Sequence, residues 1–154
     1  ETLGIDRMVL AAGATLMYPN QNKLIIDAGT CITYDFVNAE NQYLGGAISP
    51  GIKIRYKSLN NYTSKLPLLT LSEDFEIIGN STKSAIHSGV INGVIFEIEG
   101  FISQYSLKNQ DLTIILTGGD AEFLAKRLKS TIFANSNFLL ESLNLLSLYT
   151  QKND

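Results

Sequence analysis

Four short stretches of this sequence combine carboxylates, hydroxyls and glycines at spacings suited to holding a phosphate or an anionic substrate. The densest is Leu24-Ile25-Ile26-Asp27-Ala28-Gly29-Thr30-Cys31-Ile32-Thr33-Tyr34-Asp35. A short apolar run ends on Asp27, passes through Ala28-Gly29-Thr30 and resumes as a β-branched and aromatic run to Val37. That pattern reads as two strands about a tight turn. Gly29 suits the turn because it tolerates positive φ and lets a ligand approach the backbone. Exposed N–H groups and the Thr30 hydroxyl could grip phosphate oxygens, and Asp27 offers charge to a cation. A β-turn with a solvated Asp is the simpler reading of this stretch taken alone.

The other three stretches carry the same ambiguity. Gly4-Ile5-Asp6-Arg7 opens a helical segment, so Asp6 is either a partner of the helix dipole or a base beside an Arg that binds an anion. Gly79-Asn80-Ser81-Thr82 has the form of a loop feeding a helix, with Ser81 or Thr82 as N-cap. Thr117-Gly118-Gly119-Asp120 leaves an apolar strand, and Asp120 is placed to cap the helix after it.

The elements that must position these residues are read from periodicity. A helix is predicted from about Gly4 to Tyr18, strands over Lys23–Asp27 and Cys31–Val37, and a polar hairpin loop over 38–42. Tyr43–Ser49 reads as a strand with a glycine pair, Gly45-Gly46, that marks a bulge or a close approach. Pro50-Gly51 turns into a helix over Ile52–Asn60, and residues 62–80 connect. The longest helix is predicted over Lys83–Leu107. Ile91, Ile95, Ile98, Ile102 and Tyr105 share one face, while Ile86, Val90, Val94 and Phe101 form a second apolar surface. Gly89, Gly93 and Gly100 within it imply close packing against another element. Strand Leu112–Leu116, helix Ala121–Lys129, strand Thr131–Phe133 and helix Phe138–Leu148 complete an α/β pattern, with residues 151–154 frayed. His87 reads as a helix-surface or interface residue, Asp35 and Asp120 as structural acids, and Tyr34, Tyr43 and Tyr56 mainly as core aromatics.

Composition narrows the classes. At 154 residues, 45% hydrophobic and 18% charged, the chain is long enough for one good core. A net charge of −3 and scattered lysines argue against a nucleic-acid surface. A single Cys, Cys31, leaves no intrachain disulfide framework and suits a reducing, cytoplasmic setting. One His and one Cys make a structural zinc site a poor fit. No uninterrupted apolar run reaches the ~18 residues of a membrane span. The sequence starts on Glu1 without an initiator Met, which suggests processing or a fragment.

Taken in order, these motifs resemble the type III pantothenate kinases, of the wider superfamily of actin, sugar kinases and chaperone ATPases. The matching pieces are Leu3-Gly4-Ile5-Asp6-Arg7, Ile26-Asp27-Ala28-Gly29-Thr30 with Thr33-Tyr34-Asp35, Tyr43-Leu44-Gly45-Gly46-Ala47-Ile48-Ser49-Pro50-Gly51, Leu66-Pro67, Gly79-Asn80-Ser81-Thr82 and Thr117-Gly118-Gly119-Asp120. The resemblance implies a ribonuclease H-like, actin-like ATPase domain, α/β, with helices packed on a mixed central sheet. It implies ATP-dependent phosphorylation of the pantothenate hydroxyl, the first step of coenzyme A biosynthesis, with Mg2+ and a monovalent cation, K+ or NH4+. Asp6 would take the hydroxyl proton, Gly4, Ile5, Asp6, Arg7 and Thr82 would bind pantothenate, and Asp27 would hold the monovalent cation. Thr30 and Gly29 would contact ATP, with Gly118 and Gly119 near the nucleotide. Family members are homodimers with the pantothenate site near the interface, and the long helix is the natural contact. The family's opening Asp-x-Gly-Asn-Thr/Ser motif and a Tyr upstream of Gly-x-Asp-Arg are absent, and Glu141-Ser142-Leu143 lacks a customary Gly. Residues 1–154 therefore resemble the second, C-terminal domain of a two-domain kinase, expected to be inactive without its N-terminal phosphate-binding domain. The alternatives are a non-catalytic transcriptional accessory or regulatory protein of the same fold and a sugar kinase of the superfamily. The Gly-x-Asp-Arg and Gly-Asn-Ser-Thr pair tells against the sugar kinase.

Overall fold

The computed structural model describes residues 3–153, and the side chains of residues 3–152. Helix α1 (Ile5–Met17) leads into β1 (Asn22–Ala28), β2 (Cys31–Val37) and β3 (Tyr43–Pro50), then α2 (Ile52–Asn61). After a long connection come α3 (Thr82–His87), a π turn (Ser88–Asn92) and α4 (Gly93–Lys108). Strand β4 (Leu112–Thr117), α5 (Ala121–Ala125), β5 (Phe133–Ala134) and α6 (Phe138–Asn153) end the described chain.

The five strands form one mixed sheet in the order β3-β2-β1-β4-β5. β1–β2 and β2–β3 are antiparallel, whereas β1–β4 and β4–β5 are parallel. Strand β1 is central and covered on both faces, which explains its unbroken Leu24-Ile25-Ile26 run. Leu24, Ile26, Ile32, Tyr34, Ile114 and Leu116 meet α2, α3, α4 and α5 on one face. On the other face, Ile25, Val37 and Ile115 meet Leu10, Ala11 and Ala14 of α1 and Phe138 of α6. The expected glycine-pair bulge is present: the register slips between Phe36 and Val37, and Gly45 adopts φ +100°.

Several expectations are corrected. The long helix is not regular, because the π turn at Ser88–Asn92 inserts an extra residue and rotates the helix beyond it. That rotation merges the two predicted apolar surfaces: Ile86, Val90, Val94, Ile91, Ile98 and Ile102 all enter one core, with Ile95, Phe101 and Tyr105 packed on it. Gly89, Gly93 and Gly100 are not packed closely, since a Cβ added at each would meet nothing within 4 Å. The stretch Thr82–Lys108 is long and apolar enough by composition to cross a membrane, but its apolar side is the core just described. Helix α5 stops at Ala125 and β5 spans only Phe133–Ala134. Helix α6 continues to Asn153, through the predicted frayed tail; Asp154 lies outside the described residues.

Helices α1 and α6 cross where Gly13 faces Ser142, and a methyl on Gly13 would overlap Ser142 Oγ and Cβ. The Ser142 hydroxyl is fully buried and has no hydrogen-bond partner. Gly13→Ala is expected to destabilise the encoded protein by ~1–3 kcal/mol through overpacking. Ser142→Ala, by deleting an unsatisfied hydroxyl, should leave stability unchanged or raise it by up to ~1 kcal/mol. Urea unfolding of both variants checks the pair; a clear loss from Ser142→Ala would show that the hydroxyl has a partner.

Candidate functional site

Three backbone segments converge at the C-terminal end of β1. Asp27 lies in register with Thr33 of β2 and Thr117 of β4. The β1–β2 turn is closed by the Gly29 N–H donating to the Cys31 carbonyl at 3.0 Å, and the Gly51 N–H donates to the Thr30 carbonyl at 3.0 Å. From the far side, the Asp120 N–H donates to the Ala28 carbonyl at 3.0 Å. Gly118 adopts φ +95°, and any side chain there would strike Asp27 Oδ1 and the Ala28 carbonyl. A side chain at Gly51 would strike the carbonyls of Gly29 and Thr30. The freedom expected of Gly29 is therefore needed elsewhere. Gly29 has no positive φ, and a Cβ there would make only ordinary contacts at 3.9 Å. Gly119 and the exposed Thr30 complete the rim.

Beside this platform, α1 brings in its first turn. Gly4 is the N-cap, Ile5 is 72% exposed, and Asp6 sits in the first turn, exposed. Asp27 is half-buried, and its pKa is raised first by burial and then by the negative charges of Asp6 and Asp35. These three carboxylates thus share one neighbourhood. Arg7 answers only one of them: its Nη2 lies 2.6 Å from Asp35 Oδ1, and its Nε donates to the same oxygen at 2.9 Å. The Tyr43 hydroxyl accepts from Arg7 Nη2 at 3.1 Å and donates to Asp35 Oδ1 at 2.7 Å, while Thr33 Oγ1 donates to Asp35 Oδ2 at 3.1 Å. The hydrogen bond to Asp35 raises the Arg7 pKa against the opposing effect of burial. Burial first, then Asp35, pushes the Tyr43 hydroxyl up to about 12, so it remains a donor.

The structure thus joins Asp6, Arg7, Asp27, Gly29, Thr30 and Gly118 at one end of the sheet, and among the described residues no polar contact links Thr82 to them. Thr82 is exposed at the start of α3, where Ser81 is the cap and forms a reciprocal capping box with Ser84. Asp120 is not a side-chain cap; its backbone serves the platform, and burial raises the pKa of its carboxyl. His87 is not at a surface either: it is buried, with Nδ1 2.7 Å from the Tyr56 hydroxyl. Asp35 is the structural acid expected, but its partners Arg7 and Tyr43 are pairings that sequence reasoning missed. The available signal was the period-two alternation of β2, which puts Thr33 and Asp35 on one face as polar residues in an apolar strand. Among the described residues no group of three or more His, Cys, Asp or Glu could hold a metal ion.

Comparison with known proteins adds a family to this geometry. A family model described as type III pantothenate kinase matches residues 1–104. A type III pantothenate kinase of Flavobacterium johnsoniae is 65% identical over 154 residues, covering 100% of this chain and 63% of that protein. The chain thus spans about 63% of the length of this curated relative. Among solved structures, a conserved Baf family protein from Campylobacter jejuni superposes with a TM-score of 0.70 at 23% identity, covering 99% of this chain and 67% of that one. The activator of 2-hydroxyisocaproyl-CoA dehydratase from Clostridium difficile superposes with a TM-score of 0.50 at 11% identity, covering 97% and 69%. The fold is that of the actin-like ATPases, a mixed sheet with helices on both faces.

The raised pKa of Asp27 has a sign that can be tested. Its charged form is disfavoured in the folded chain, so ionised Asp27 opposes folding at any pH above its folded pKa. Asp27→Asn should therefore stabilise the protein at about pH 7 when tetramethylammonium is the only added cation. The gain should shrink as pH falls through the raised pKa toward the ordinary carboxylate value, where both folded and unfolded states hold the proton. Unfolding curves across that range check it; no gain at any pH would mean that Asp27 already has a compensating partner.

Proposed function

Because the chain belongs to the type III pantothenate kinase family, we propose that it serves ATP-dependent phosphorylation of the pantothenate hydroxyl, the first step of coenzyme A biosynthesis. The observation that carries this reading is the gathering of Asp6 and Arg7 of α1 beside Asp27 and the glycine-lined turns. Phosphoryl transfer needs mainly positioning and charge neutralisation, and these groups suit both. Asp6, exposed in the first turn of α1, is the base that accepts the hydroxyl proton. Gly4 and Ile5 border the acceptor. Arg7 Nε and Nη2 are engaged with Asp35 and Tyr43, so Nη1 is the edge left for the acceptor's carboxylate. Thr30 and Gly29 serve the phosphates, and Gly118 and Gly119 lie on the nucleotide side. Thr82 is assigned to pantothenate on the family resemblance alone, since no described polar contact joins it to the Asp6 group.

The donor set fits one monovalent cation better than a divalent one. Asp27 is a single half-buried carboxylate whose charge is disfavoured first by burial and then by Asp6 and Asp35, a deficit that one monovalent cation, K+ or NH4+, would offset. A cation held by Asp27 would supply positive charge to offset that of the phosphates. Magnesium would enter with ATP, neutralising its phosphates. We place the chain, residues 1–154, as the C-terminal domain of a cytoplasmic, two-domain kinase. The same reading makes it a homodimer through α4. Gly93, Phe96 and Gly100 recur at helical spacing, Phe96 is 61% exposed, and a groove of about 650 Å³ runs beside Phe96, Gly100, Phe101 and Gln104.

ADP release by the full encoded protein, given Mg-ATP with and without pantothenate, tests the activity. The expected release is pantothenate-dependent and stimulated by K+ relative to tetramethylammonium; ATP binding without it would remove the reading. Asp6→Asn should reduce turnover by ~10²–10⁴-fold with the fold retained, and an unchanged rate would exclude Asp6 as the base. For the interface, Phe96→Asp should shift the sedimenting species from dimer toward monomer. An unchanged dimer would move the contact off α4.

A further inference from the structure

We propose that Asp35 is a positioning residue for the acceptor side of this site, holding the Arg7 guanidinium that reads the acceptor's carboxylate and the helix turn that carries Asp6. The inference rests on the pantothenate kinase reading and goes beyond it, to a buried side chain that would touch neither substrate. Asp35 has no exposed surface, yet it gathers donors from three elements: Arg7 of α1, Tyr43 of β3 and Thr33 of β2. Two nitrogens of Arg7 are anchored on one oxygen, and Tyr43 bridges the pair. A guanidinium is planar and rigid, so fixing Nε and Nη2 also fixes the Nη1 edge. Asp6 precedes Arg7 in the same first turn, which the Arg7–Asp35 pair ties to β2. Without Asp35, Arg7 regains its rotamer freedom and its carboxylate-reading edge has no set direction.

The test uses the full encoded protein and two acceptors: pantothenate, and pantothenol, in which a primary alcohol replaces the carboxylate. The readout is the ratio of kcat/KM for pantothenate to that for pantothenol, with the KM for ATP measured alongside. Asp35→Asn should lower the ratio by about tenfold or more, and Tyr43→Phe by about threefold, with the KM for ATP changed less than about twofold. A merely structural role would reduce the active fraction and scale both acceptors together, leaving the ratio unmoved. An unchanged or increased ratio in both variants overturns the proposal. If Asp35→Asn does not fold, the Tyr43→Phe ratio decides alone: a drop supports the proposal and no drop overturns it. A wild-type protein that binds ATP but phosphorylates neither acceptor instead defeats the underlying reading, and the proposal with it.

Discussion

A carboxylate with no exposed surface must be met by donors, and Asp35 imposes that requirement on everything around it. Removing one partner of such a buried pair generally destabilises by ~3–5 kcal/mol, because the other charge is left uncompensated. Arg7 is that partner, so the first turn of α1 cannot drift from β2 without stranding Asp35. The position of Asp6 is thereby set by a contact that Asp6 itself does not make. Tyr43 extends the constraint to the edge strand, since its hydroxyl accepts from Arg7 and donates to Asp35.

The opposite face of the sheet repeats this device. Glu97 of α4 accepts hydrogen bonds from Tyr34 of β2 at 2.9 Å, from Ser49 of β3 at 2.5 Å and from Arg55 of α2 at 2.5 Å. Burial works to raise the pKa of Glu97, but those bonds outweigh it and hold it lowered. Arg55 Nε also donates to the Pro50 carbonyl at 2.8 Å, next to the Gly51 N–H that closes on Thr30. Strands β2 and β3 are thus tied by carboxylates to a helix on each side. The platform at the end of β1 adjoins both ties, through Thr33 beside Asp27 and through Gly51 on Thr30.

Much of this was legible in sequence. Strand cores such as Leu24-Ile25-Ile26 announce themselves because a central strand covered on both faces is apolar throughout. The Gly45-Gly46 bulge and the loop feeding α3 were visible because glycine and Ser carry local backbone rules. What stayed hidden were pairings between distant residues. Arg7 and Asp35 lie 28 positions apart, and Tyr56 and His87 lie 31 apart. Local pattern has no access to such contacts, so Asp35 reads only as a structural acid without a named partner and His87 as a helix-surface or interface residue. The π turn was equally invisible, because one inserted helical residue changes a face without changing composition. Gly118 shows a subtler limit. A turn glycine was expected at Gly29, but the positive φ falls where a second segment crowds the first.

Charge explains why the site is built to need a ligand. Asp6 and Asp35 both add negative charge to the surroundings of Asp27, and the Arg7 guanidinium is committed to Asp35. Asp27 is left half-buried, and the causes of its raised pKa are burial and repulsion with no hydrogen bond to offset them. An evolved chain retains such a group against its own stability chiefly where the group has work to do. On the proposed function, phosphoryl transfer would bring further negative charge to the same place, from the nucleotide and from an anionic acceptor. Every added anion raises the energy of the ionised Asp27 unless a cation arrives with it. The demand for positive charge is therefore written into the resting arrangement of the side chains, before any substrate binds. Gly118 helps to keep it there: with no side chain at that position the β4 turn can close against Asp27 Oδ1 without contributing a donor that would relieve it.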